Sequence, residues 1–135
     1  MKENLYENTK LATYLLWEQT RSDNAINLWY CTEDIAFYLY LNGIETVRDI
    51  FDIIIKGKES FEYILLIRNL SYRIFVYTNN YNSQINWYAA EHLVSNREWC
   101  NAIASIVSEY KAAGEDGGVL NSIKLKKVRD NLNVK

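Results

Sequence analysis

Proline is absent from all 135 residues of this chain, and this absence limits the folds that the sequence favours more than any other feature. Proline commonly ends or kinks helices, because it lacks a backbone N–H and its ring clashes with the preceding turn. Glycine is also scarce, and three of the five glycines lie together within residues 114–118. Most of the chain therefore lacks the common helix breakers, which favours an all-α fold.

Apolar residues recur at helical spacing in successive segments, and residues that cap helices stand between these segments. Thr46 and Asp49 have the spacing of a capping box, before a helix that is predicted to end at Gly57. Ser60 is placed to cap a helix over 61–78, where apolar side chains recur every three or four residues. The sequence predicts an all-α fold, a compact bundle of six to seven short helices.

Two further helix starts are predicted from local signals. Thr32 is followed by acidic residues, including Asp34, which the helix dipole favours in a first turn, and this helix is expected to run to Leu41. Ser95 and Glu98 have the spacing of a second capping box, which predicts the start of the last long helix.

One segment leaves the fold class open. Residues 72–77 have the highest β-propensity in the chain, so a hairpin within 61–78 is the alternative to a single helix. That alternative would make the fold α+β.

The chain divides into a helical domain over 1–113 and a C-terminal segment over 114–135. The segment opens with a glycine-rich hinge and continues as a basic amphipathic helix, which we expect to pack on the same domain. A second interpretation is that this helix docks on an acidic partner or on RNA. Its basic patch consists of Lys124, Lys126, Lys127 and Arg129.

The charge balance argues against a general affinity for nucleic acid, because the formal net charge is −2 and the pI is about 5.4. Residues 32–56 nevertheless resemble a DNA-binding helix-turn-helix. The residues at matching kinds of position are Ile35, Ala36, Leu39, Thr46 and Val47. The second helix of this motif would carry acidic and aliphatic residues where base-reading side chains are basic or amide. A helix-turn-helix regulator is therefore the alternative function.

The sequence offers little for catalysis or for metal binding. His92 is the only histidine, no nucleophile elbow or phosphate-binding loop is present, and Cys31 and Cys100 lie far apart. We expect two free thiols, no catalytic residues, no cofactor and no metal. The sequence also shows no signal peptide or membrane span, so we expect a cytoplasmic protein with no membrane partner.

Aromatic residues make up 14% of the chain and include eleven tyrosines, a composition that is typical of contact surfaces. Residues with AT-rich codons dominate, which indicates a low-GC bacterium, or one of its phages or plasmids, as the source. The main hypothesis is a non-enzymatic module that binds another protein, as a small inhibitor or accessory protein acting on a host complex. Self-association into a homo-oligomer stays open. The expected contact residues surround a polar loop: Tyr77, Asn79, Asn80, Tyr81 and Trp87.

Overall fold

A computed structural model describes residues 2–116 of the chain, with side chains from residue 4 to residue 113. This range contains six α-helices and no β-strand. The predicted all-α bundle is confirmed, and one helix replaces the hairpin alternative within 61–78. The helices are α1 (Lys2–Thr20), α2 (Ala25–Leu41), α3 (Val47–Ile54), α4 (Phe61–Thr78), α5 (Ser83–Ser95) and α6 (Arg97–Asp116).

Five of these helices surround one apolar core, and α3 lies at its edge. α1 packs against α2, α5 and α6, α2 also contacts α4 and α6, and α4 pairs with α5. The short α3 rests on α6 and α4. Large side chains that are less than 2% exposed come from each of the five central helices and include Leu16, Leu28, Ile35, Ile67, Ile74, Leu93, Trp99, Ile103 and Tyr110.

The predicted capping box at the start of α3 is confirmed. The backbone N–H of Asp49 donates to Thr46 Oγ1 at 3.1 Å, and the N–H of Thr46 donates to Asp49 Oδ2 at 3.0 Å. The N–H of Glu45 donates to the same carboxylate oxygen at 2.8 Å. These backbone donors hold the pKa of Asp49 below its ordinary value, because they stabilise the charged form.

The predicted start of α2 at Thr32 is wrong. The helix begins at Ala25, because Asn24 caps it by accepting the backbone N–H of Asn27 at 3.0 Å. No helix breaker separates this cap from Thr32, so the helix continues through it. Thr32 is buried in mid-helix, where its hydroxyl accepts a hydrogen bond from Thr13 at 3.0 Å.

The predicted capping box at Ser95 is also wrong. Ser95 is the last residue of α5, and Asn96 alone joins α5 to α6. Asn96 has extended backbone dihedrals, and its Oδ1 accepts the N–H of Trp99 at 3.1 Å. Asparagine caps helices at least as well as serine, so it takes the role that the sequence pattern assigned to its neighbour.

The last described helix continues past the start of the expected hinge. α6 includes Gly114 and ends at Asp116. The rest of the predicted hinge and the basic C-terminal helix, with Lys124, Lys126, Lys127 and Arg129, lie outside the described residues. Within residues 2–116, every helix is too short or too polar to cross a bilayer.

Candidate functional site

Asparagines in and beside the loop between α4 and α5 form hydrogen bonds within the loop and to the two flanking helices. Asn79 ends α4 in the left-handed region, with φ of 57°, and its backbone N–H donates to Phe75 O at 2.8 Å. The buried amide of Asn86 reaches back from α5, and its Nδ2 donates to Asn80 O at 2.7 Å. These bonds connect both ends of the loop to the flanking helices.

Asn82 completes the loop as the cap of α5. Its Oδ1 accepts the backbone N–H groups of Gln84 and Ile85, each at 3.1 Å. Its own N–H donates to Asn80 Oδ1 at 3.0 Å. The loop amides therefore order the loop backbone on both sides of Tyr81, which lies at its tip.

Tyr81 projects from this fixed loop with 81% of its surface exposed, more than any other large hydrophobic or aromatic side chain among the described residues. Its ring meets Phe75 of α4 edge-on, with ring centroids 5.5 Å apart and an interplanar angle of 65°. The ring centroid of Phe75 in turn lies 6.4 Å from that of Tyr72. Tyr81 is therefore the outer member of a row of rings that begins on α4.

The row of rings forms one wall of a groove between α4 and α5, with a volume of about 840 Å³. We call this feature the aromatic groove. Arg68 is its one charged lining residue within the described range, and no carboxylate lines it there. The polar lining residues include Gln84, whose Nε2 donates to the Tyr88 hydroxyl at 3.0 Å. The aromatic lining residues are Tyr72, Phe75, Tyr81, Trp87 and Tyr88.

Four of the five predicted contact residues lie in or beside the aromatic groove. Tyr81 and Trp87 line it, and Tyr81 is exposed whereas Trp87 is half-buried. Asn79 and Asn80 do not line the groove, but their hydrogen bonds support the loop that carries Tyr81.

The prediction that Tyr77 is the fifth contact residue is corrected by its burial. Its side chain is only 5% exposed and belongs to the core. It continues the stripe of α4 that packs inward, which includes Leu70 and Ile74. A side chain on this stripe is covered by the rest of the bundle, so it offers no surface to a partner.

Sequence reasoning missed the charged residue and three of the rings that line the groove: Arg68, Tyr72, Phe75 and Tyr88. A signal for those on α4 was present. Positions 68, 72 and 75 follow helical spacing, and they are out of phase with the inward stripe of the same helix.

A second group of polar residues lies inside the bundle, between α2 and α4. Asp34 is 2% exposed, and its Oδ1 pairs with Arg73 Nε at 3.3 Å. The Arg73 guanidinium also stacks over the ring of Tyr38, 4.6 Å from its centroid, and donates to Asn69 O at 3.0 Å. Asp34 Oδ2 and the Tyr77 hydroxyl are buried, and neither completes a hydrogen bond of good geometry.

Burial is the largest influence on the pKa values of the titratable side chains in this cluster. It raises the pKa of Asp34 above its ordinary value, and the charge of Arg73 offsets only part of this effect. Burial likewise raises the pKa of Tyr77 and of Cys31, and the nearby Asp34 charge adds to both increases. Arg73 is the more exposed member of the ion pair, at 16% of its side chain. This enclosure fits a structural ion pair better than a reaction centre.

Residues 32–56, whose sequence resembles a helix-turn-helix, do not present a basic helix. The motif begins in the middle of α2, and α3 buries Ile50 against the bundle. On the exposed side of α3, Arg48 pairs with Asp52 at 3.3 Å beside the apolar Phe51. This face has no surplus positive charge for contacts with phosphates.

The remaining reactive residue types stand apart from one another. Cys31 and Cys100 are both free and buried, as expected, and burial raises the pKa of Cys100 to about 11. His92 is exposed, with Nδ1 3.0 Å from Gln19 Oε1. In the part of the chain with described side chains, no three histidine, cysteine or acidic residues are grouped as metal ligands would be.

Comparisons of this chain with known protein families, with curated proteins and with solved structures find no match.

Proposed function

We propose that this protein is a non-enzymatic module that binds another protein through the aromatic groove. The observation that carries the proposal is the exposure of Tyr81 at the tip of a loop whose own hydrogen bonds fix it. A bundle of this size has no need of so exposed a ring for its own packing. A small accessory or inhibitory protein would use such a surface to engage its target.

The physical basis of this proposal is the low entropy cost of binding a partner through aromatic side chains. Tyrosine and tryptophan offer a large contact area with few rotatable bonds, which is why they are enriched among the residues that dominate protein interfaces. In this groove the loop backbone is already hydrogen-bonded, so binding would add little cost for ordering the loop on this side of the interface. The bonds that hold Asn80 and Asn82 therefore favour binding without touching the partner.

The test is affinity capture from cells of the source organism with three forms of the protein: wild type, Tyr81→Ala and Tyr14→Ala. Tyr14 is a matched control, because it is 53% exposed and lies on α1, away from the groove. We expect a protein that wild type and Tyr14→Ala retain and that Tyr81→Ala loses. The loss corresponds to about 2 kcal/mol of binding free energy, or roughly 30-fold in affinity.

Both variants should melt within a few degrees of the wild type, because exposed side chains contribute little to stability. Capture of the same proteins by Tyr81→Ala and by the wild type would contradict the proposed function.

A further inference from the structure

Three of the five rings that line the aromatic groove form a short row along one wall. The ring centroids of Tyr72 and Phe75 lie 6.4 Å apart, and those of Phe75 and Tyr81 lie 5.5 Å apart, so the row cannot exceed about 12 Å. A polyproline II helix rises by about 3.1 Å per residue, so the row spans at most about four residues of an extended, proline-rich segment. Grooves lined by aromatic rings are the usual recognition sites for such segments.

The groove also offers the hydrogen-bond donors that such a segment needs. A polyproline II helix has no internal hydrogen bonds, so its carbonyl oxygens need donors from the protein that binds it. Because Gln84 donates to the Tyr88 hydroxyl, that hydroxyl keeps its own proton to donate outward. Tyr72, Tyr81 and Trp87 line the same groove, and their side chains carry two further O–H donors and one N–H donor.

The charge of the groove indicates an acidic ligand. Arg68 is exposed and is the one charged lining residue in the described range, in a chain whose formal net charge is −2. A carboxylate beside the proline-rich stretch would pair with it. A single arginine is too little for a nucleic acid strand, which binds through several cations along its backbone.

We propose, building on the proposed function, that the aromatic groove binds an extended, proline-rich segment of another protein with an acidic residue next to the prolines. A second copy of these 135 residues would not supply such a segment, because they contain no proline.

The test is a fluorescence-anisotropy titration with synthetic peptides. The probe is a labelled polyproline peptide of about eight residues, flanked by aspartates. The control peptides replace the prolines by alanine and glycine, or the aspartates by serine. We expect saturable binding of the probe to the wild type and to Tyr14→Ala, no binding of the proline-free peptide, and roughly 30-fold weaker binding to Tyr81→Ala.

A second variant tests the charge. Arg68→Gln should bind the aspartate-flanked and serine-flanked probes equally, whereas the wild type should prefer the aspartate-flanked probe. Because Arg68 is exposed, this variant should fold as the wild type does. Equal affinity of the wild type for the two probes would overturn the acidic part of the proposal.

The outcomes separate this inference from the function on which it rests. No binding of any proline probe up to about 1 mM, together with a captured protein that depends on Tyr81, overturns the proline-rich ligand and leaves the protein-binding function standing. If an oligothymidine strand binds where the proline probes do not, and this binding depends on Tyr81, then the groove takes a nucleic acid and the proposed class of ligand is wrong. If no captured protein depends on Tyr81, both proposals fail.

Discussion

Replacing Arg73 by methionine should destabilise the protein by about 3–5 kcal/mol at neutral pH, because it leaves a buried carboxylate without its partner charge. Asp34 is 2% exposed and depends on Arg73 Nε for its ion pair. Methionine keeps much of the apolar volume of the arginine stem, so the loss reports mainly on the charge. Urea unfolding followed by circular dichroism measures it.

A double variant provides the control. Asp34→Asn removes the buried charge, so Arg73→Met combined with Asp34→Asn should be clearly more stable than Arg73→Met alone. Simple addition of the two single effects would contradict the view that the pair acts as a unit.

The same pair predicts a pH dependence. Burial raises the pKa of Asp34 above its ordinary value of 3.8, so the folded protein holds this proton more tightly than the unfolded chain does. Acidification from neutral pH towards 3.8 therefore stabilises the folded state through this group, and the stabilisation is lost as the pH rises through the folded-state pKa. This pH dependence of stability is larger without Arg73, because the charge of Arg73 lowers the pKa of Asp34.

The destabilisation by Arg73→Met should accordingly shrink as the pH falls from 7 to about 4.5, the range above the ordinary carboxyl pKa. Asp49, whose pKa is lowered, has the opposite dependence, but it is present in both proteins and cancels in their difference. A difference that does not change with pH would show that Asp34 does not carry the penalty.

Trp99→Ala should destabilise the protein by about 3–5 kcal/mol, because it leaves a large cavity in the core. Trp99 lies in the first turn of α6 and is 1% exposed. Domains of this size have unfolding free energies of about 5–15 kcal/mol, so the loss is a large share of the total. The midpoint of urea unfolding measures it.

Asn101→Ala is the matched control on the same helix. Asn101 is exposed, and alanine has a higher helix propensity, so the variant should equal or slightly exceed the wild type in stability. Similar losses in both variants would contradict the orientation of α6.

Local capping signals predict some helix starts of this chain and miss others. The capping box of Thr46 and Asp49 needs only residues three positions apart, and it was predicted correctly. The caps at Thr32 and Ser95 failed because Asn24 and Asn96 cap the same two helices instead. A capping residue in the sequence therefore does not by itself locate a helix start, since another residue of the same stretch can take that role.

Burial could not be predicted from residue type. Asp34 resembles an ordinary acid of a first helical turn, yet its partner lies 39 residues away on α4. Tyr77 and Tyr81 stand four residues apart, and one is in the core while the other is the most exposed ring described. The aromatic groove exists only after α4 and α5 pair. Helical spacing groups Tyr72 and Phe75 on one face of α4, but it does not show that this face meets Tyr81 and the α5 side chains.

The most direct test of the aromatic groove as the binding surface is site-specific photo-crosslinking in cells of the source organism. A photoreactive phenylalanine analogue replaces Tyr81 in one protein and Tyr14 in another, since both positions are exposed and aromatic. We predict a discrete adduct with one protein at position 81 and none of that mass at position 14. No adduct at position 81, or the same adduct at both positions, would contradict the assignment of the groove as the partner-binding site.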